Sequence, residues 1–262
     1  MRRFSFATHA AAPASISCLL LFGVIGSSAD TAEIKVLHTT AVKPAMDELL
    51  PGFAKSSGHK VTAEYGTAGA MVGRIQKGET VDVAVVTGPQ IKDLQKQGKI
   101  VENSGVDLAK VGIGVYTRKG TPKRDISSVE AFKGALLAAR SIAYIDPASG
   151  GASGIYISNL LERLNLAEEL KSKIRTNTVV AAVFDSVANG VVEIGLGQLS
   201  EIAADPRVEV IALLPADIQN FTLFATGIVT GSQEPEAAKA LIGFISSPAA
   251  QATWKAKGFE AP

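Results

Sequence analysis

Residues 61–86, VTAEYGTAGAMVGRIQKGETVDVAVV, decide how the chain is read. An extended run ends in Gly66-Thr67-Ala68-Gly69-Ala70, a helical stripe of Met71, Val72 and Ile75 follows, and a second apolar run closes the segment. Strand, small-residue turn, helix and strand make the unit from which parallel sheets are built. The turn carries as much information as the order. Set where a strand gives way to a helix, it presents free backbone N–H groups and short hydroxyls at the positive end of the helix dipole. Such a surface binds anions without a cationic side chain.

The same unit recurs on both sides. Upstream, the apolar run 34–37 ends in His38-Thr39-Thr40-Ala41, Pro44 sits at a helix start, and Ala45, Met46, Leu49, Leu50 and Phe53 form the buried stripe. Downstream, Gly88-Pro89 opens a helix over 90–97. A strand is expected at 112–116, a helix at 128–139, and a strand at 141–145 that ends in the third turn, Pro147 to Gly154 (PASGGASG). Helix 155–164 follows, and Asn177-Thr178 is placed to cap a helix carrying Val180, Val183, Phe184 and Val187. Strands at 191–197 and 208–213, an extended run at 221–229 and helices at 234–246 and 248–257 complete the pattern. The class is α/β, with two lobes, each a mostly parallel sheet flanked by helices. Extended crossings are expected near 110–114 and 224–227. The first lobe then comprises 30–111 plus 227–262, and the second 112–226.

Residues 1–29 read as a secretion signal, with Arg2 and Arg3, an apolar core over 16–25 and the small residues Ser27-Ser28-Ala29. Export to a periplasm is the expectation. The chain's one cysteine, Cys18, lies inside that segment, so the mature protein would have neither a disulfide nor a thiolate site. Two arginines leave with the signal, and a formal charge of +1 becomes −1. Near neutrality speaks against nucleic acid as a partner. Histidines are few and lack acidic neighbours at ligand spacing, so no metal or other cofactor is expected. The serines of PASGGASG do not make a nucleophile elbow.

The segments IKVLHTTAVKPAMDEL (34–49), VTAEYGTAGAMVGRIQKGETVDVAVV, IAYIDPASGGASGIY (142–156) and VEIGLGQLSEI (192–202) together resemble periplasmic solute-binding proteins of the molybdate-binding type. The resemblance implies a type II periplasmic binding fold. It also implies a small anionic ligand held in the cleft between lobes and an ABC transporter permease as membrane partner; a monomer is expected. In molybdate binders hydroxyls and amides alone hold the oxyanion. Carried onto this chain, the first contact serine falls on Ala41, after Thr39 and Thr40, and the second turn supplies Thr67, Ala68 and Gly69. The third turn keeps Ser149, Gly151 and Ser153, followed by Gly154-Ile155-Tyr156. A helix-start contact falls at Val180, and a late tyrosine is replaced by Gln198. With hydroxyls lost relative to that pattern, the ligand is either a weakly held tetrahedral oxyanion or another anion, and a carboxylate is the candidate.

Read as residues alone, Thr39, Thr40 and Thr67 are either turn and capping residues or ligand contacts, and their place at strand ends favours contact. Arg74 is a candidate fork for a ligand carboxylate, against a solvated helix face. Some proteins resembling this family are periplasmic aconitate isomerases, which move a proton between carbons of a tricarboxylate without a cofactor. An isomerase would need a base, for which His38, Glu64 and Asp185 are the legible candidates.

Overall fold

The structure, a computed structural model, describes residues 1, 2, 5 and 31–262. The signal-like segment lies almost wholly outside them. Residues 31–262 form one compact unit. In its first part the chain alternates β1 (Glu33–Thr39), α1 (Lys43–Ser57), β2 (Lys60–Gly66), α2 (Ala68–Gln76), β3 (Val83–Thr87) and α3 (Gly88–Lys96). β1 pairs in parallel with both β2 and β3. The stripe expected from the sequence is the buried face of α1, with Pro44 in its first turn.

β4 (Val106–Arg118) is far longer than the 112–116 expected, because it serves two sheets. Its first half, Val106 to Gly112, pairs antiparallel with β9 (Phe221–Ile228), which in turn pairs antiparallel with β3. Its second half pairs antiparallel with β7 (Ile194–Gln198) and β8 (Val208–Leu213). Beyond these lie α4 (Val129–Ala138), β5 (Ile142–Ile145), α5 (Ala152–Arg163), α6 (Ala167–Leu170), β6 (Ile174–Asn177), α7 (Val180–Ala188) and α8 (Leu199–Ala204). β5 pairs in parallel with β6 and β7. The strand order is β2-β1-β3-β9-β4-β7-β5-β6, with β8 on the side of β4. Each half is thus a parallel trio completed by antiparallel strands.

Three expectations are corrected. Strand β6, IRTN, is largely exposed and carries no apolar run, so its sequence gave no strand signal. Asn177 is not the cap of α7: its Oδ1 accepts from the Val179 N–H at 2.9 Å, and Val179 is the cap residue. Residues 221–226, which the sequence suggests belong to the second lobe, pair with β3 and β4 in the first sheet. The return crossing therefore lies before Phe221, not at 224–227.

Two side chains tie distant parts of the chain together. At the crossing, the Gln219 side-chain amide behaves like an extra strand residue: its Oε1 accepts from the Ile113 N–H at 2.9 Å and its Nε2 donates to the Ile113 carbonyl at 3.0 Å. In the first half, buried Asp82 ties the chain's end to its beginning. One carboxylate oxygen accepts from the Lys35 N–H (2.8 Å). The other accepts from the Ser232 hydroxyl (2.6 Å) and the N–H groups of Gln233 and Glu234 (3.0 and 3.2 Å). This seats α9 (Pro235–Ile245) and α10 (Pro248–Ala256), whose Trp254 fills the core under α1. Among the described residues no helix is long and apolar enough to cross a membrane.

Candidate functional site

The three small-residue turns meet at the C-terminal ends of the parallel strands, where open α/β sheets place their ligands. Thr40, just past β1, donates its hydroxyl to the Gly66 carbonyl at the end of β2 (2.9 Å). Thr67 caps α2, its Oγ1 accepting from the Ala70 N–H at 3.2 Å. Asp146 caps the short turn after β5 by accepting from the Ala148 N–H, and Gly151 is the cap residue of α5. Gly154 is confined to glycine by packing: a Cβ there would overlap the Ile145 carbonyl oxygen.

Across the gap the second and third turns touch. The Gly69 N–H donates to the Gly150 carbonyl at 3.0 Å, and the Thr67 hydroxyl donates to the Ser149 carbonyl. Two donors that the sequence assigns to a ligand, the Gly69 amide and the Thr67 O–H, are therefore spent on protein in this closed arrangement.

Behind this contact lies an inner cavity with about 20 Å³ of free volume, lined by Thr39, Thr40, Ala41, Thr67, Gly151, Ala152, Ser153, Val180, Gln198, Glu201, Ile145 and Phe224. It shares Thr40, Val180 and Glu201 with an outer cleft of about 460 Å³, which adds Lys43, Tyr65, Phe184, Asp205 and Arg207. None of the lining side chains of the inner cavity is cationic. Hydroxyls and backbone amides predominate, as an anion held by neutral donors requires.

Gln198 is the most telling polar group. Buried to 2% exposure at the end of β7, it bonds Thr222 through Nε2 (3.0 Å), while Oε1 finds no partner among the described residues. Turning the amide by 180° lets the Thr222 hydroxyl donate to Oε1 and presents N–H to the cavity, the orientation an anion selects. Glu201, three residues on in α8, is the one ionisable side chain lining both spaces. Burial pushes its carboxyl up to about 7, against an opposing hydrogen bond from the Gln198 backbone.

Other expected residues lie elsewhere. Ala68 is packed in the core, and Ser149 turns its hydroxyl to the Asp146 carbonyl (2.7 Å). Tyr156 donates to the Ile218 carbonyl at 2.8 Å and receives Arg163. Arg74 does not reach into the cleft. Glu79 holds it bidentately, and Glu64 stands 2.9 Å away. That pairing accounts for Glu64 as well. Asp185 is half exposed and bound to Arg207 at 2.8 Å. His38 is buried inside β1 with its Nδ1–H on the Thr39 carbonyl (3.0 Å), and desolvation lowers its pKa. None of the three proposed bases lines either space. The acid that lines both, Glu201, escaped sequence reading. Its one signal was its position, three residues past Gln198 at a strand end.

A sequence profile described as bacterial extracellular solute-binding protein matches residues 34–260. The chain is 34% identical over 222 residues to an aconitate isomerase of Pseudomonas sp, covering 82% of each protein. It is 27% identical over 243 residues to the molybdate-binding protein ModA of Azotobacter vinelandii, covering 90% of this chain and 93% of that one. In structure it resembles the Azotobacter vinelandii periplasmic molybdate-binding protein with a TM-score of 0.75 at 21% identity, across 87% of this chain and 99% of the other. The substrate-binding domain of a putative molybdenum ABC transporter from Clostridium difficile gives 0.68 at 21% identity, over 88% and 100%. The fold is the periplasmic binding protein fold that the sequence suggests.

Proposed function

The chain belongs to the bacterial extracellular solute-binding protein family, and from that premise we propose that it captures a small organic carboxylate between its halves for delivery to an ABC permease. The observation that carries the reading is the pairing of two spaces. The inner cavity offers only uncharged donors and one protonatable acid, and in the closed arrangement it holds about one water's volume, so a ligand must extend beyond it. The adjoining cleft has room for the rest of a multi-carboxylate acid, with Lys43 and Arg207 at its rim. One carboxylate would enter the inner donors and the others would remain outside. The halves joined at β4, with a boundary near Gly112 and Ile113, close over it and exclude water, which strengthens each hydrogen bond. Export to the periplasm through residues 1–29 belongs to the same reading.

A thermal-shift series with trans-aconitate, citrate, sulfate and molybdate tests it. Ligand bound only by the folded state raises the melting temperature in proportion to RT ln(1 + [L]/Kd). A carboxylate is expected to stabilise more than either oxyanion, and a larger shift with molybdate would overturn the assignment. Gln198→Leu removes a cavity donor and is expected to weaken binding about tenfold or more.

A second reading is supported by the similarity to aconitate isomerase: the same site, with an acid of raised pKa, would interconvert unsaturated tricarboxylates. Incubating the protein with trans-aconitate and following the cis isomer by NMR distinguishes catalysis from capture.

A further inference from the structure

Glu201 is the residue whose chemistry least suits a site for anions, and its surroundings say how it fits. It lines the inner cavity beside Thr39, Ser153 and Gln198 and faces the outer cleft as well. As a carboxylate it would oppose a bound anion with like charge, at a place from which closure excludes water. Both effects favour the neutral acid. Among the described residues Glu201 takes part in no ion pair, and the Gln198 backbone N–H is the one group that favours its ionised form.

The charged groups on the elements packed around it have partners of their own, and Tyr116 is a neutral phenol. From α1, Lys43 is bonded to Asp47 and lies over the Tyr65 ring, while Glu48 is bonded to Lys257. Arg207 is held by Asp205 (2.7 Å) and Asp185 (2.8 Å). From β4, the Tyr116 hydroxyl is buried with no partner among the described residues, its pKa raised by burial and then by Glu201 and Asp205. From β8, Glu209 is drawn to Lys123 and the Gly120 N–H. Gln198, buried in the same cavity with an unpartnered amide atom, marks the spot as built for a polar guest.

We propose that Glu201 binds the anion as a neutral carboxylic acid, so that each anion captured carries one proton onto the protein. The proposal rests on the anion-capture reading above. The acid's O–H then donates to the ligand, while its other oxygen keeps the hydrogen bond from the Gln198 backbone N–H. No covalent bond changes; the proton comes from solvent and returns to it on release. Capture is therefore tightest in mildly acidic surroundings.

Titration calorimetry at pH 8 in HEPES and in Tris, which differ in ionisation enthalpy, reads the proton count directly, with trans-aconitate and citrate as probes because both are fully ionised there. The wild type is expected to take up about one proton per anion, with affinity falling about tenfold per pH unit above 7. E201Q, which keeps a donor but cannot titrate, is expected to bind with no uptake and no such pH dependence. Binding by the wild type without proton uptake overturns the proposal and leaves anion capture standing. Equal uptake by wild type and E201Q also overturns it, since the proton then goes elsewhere. Absence of binding by any anion of the thermal-shift series removes the capture reading and the proposal together. Should E201Q fail to fold, ¹³C-carboxyl NMR of glutamate-labelled wild type decides the matter. The Glu201 resonance must move to the neutral position on adding the probe at pH 8; a resonance that stays ionised refutes the idea.

Discussion

Gly69 and Gly150 meet backbone to backbone across the cleft: a Cβ built on either would lie 2.7 Å from the other's Cα. The Gly69 N–H to Gly150 carbonyl bond is possible only at that range. Gly150 also has φ +74, so a side chain there would be strained in any state. Gly69 lies in α2 with ordinary helical geometry, where alanine is a better helix former. Gly69→Ala is therefore expected to leave the free protein as stable as before, or slightly more so, while weakening ligand binding about tenfold or more because the halves cannot close. Calorimetry and thermal melts of the same variant check both halves of the statement.

Stability should depend on pH through two groups of opposite sign, Glu201 and His38. The Glu201 carboxyl, about 7 when folded against an ordinary 4.5, holds its proton more tightly in the fold. Its contribution is complete below about 4.5 and is lost as pH rises through 7. Burial lowers the His38 pKa below its ordinary 6.5, so its contribution is present above 6.5 and fades as pH falls through the folded value. The melting temperature of E201Q relative to wild type is expected to climb by several degrees between pH 5 and pH 8. A constant offset would show that the fold does not shift the Glu201 carboxyl.

Arg74 is expected to matter little to binding. Its guanidinium is engaged with Glu79 and Glu64 on a partly exposed surface, where such pairs contribute about 1 kcal/mol or less. Arg74→Gln should change affinity less than twofold and cost no more than that in stability, with the cost shrinking in high salt. Denaturant titrations at two ionic strengths test it. A large loss of affinity would return Arg74 to the ligand.

Asp82→Asn should be costly. It places an NH₂ among four donors that now converge on the carboxylate, leaving at least one buried group unsatisfied, at about 1–3 kcal/mol. Because those bonds seat α9, equilibrium unfolding should show the loss, and proteolysis should begin in the C-terminal helices.

The order of strands and helices was largely legible because apolar stripes and small-residue turns report burial and chain reversal directly. Thr39, Thr40 and Thr67 could be expected at the cavity because they stand where apolar strands end, whereas Gly151, Ser153, Val180 and Gln198 are expected there from the resemblance to molybdate binders; all seven line it. What failed were features set by partners far along the chain. β6 has too few apolar residues to announce itself and is a strand because β5 offers it an edge. Arg74 stands at a spacing that suits a ligand or an acid equally, and Glu64 and Glu79 took it. Glu201 looked like an ordinary helix acid until the α8 turn was seen to face the cavity. The Gly69 amide and the Thr67 hydroxyl read as available in the sequence, but only the folded chain shows the Gly150 and Ser149 carbonyls arriving to use them.

The paired bonds between Gln219 and Ile113 bear on how such a molecule would move. Where the chain returns from the second half, just before β9 takes up its ladder with β4, one side-chain amide rivets it to the long strand. Sliding one half along the other would break both bonds at once, whereas swinging about that rivet leaves them intact. The jaws should accordingly part by rotation at a fixed fulcrum, and a guest would enter from the side of Tyr65 and Arg207.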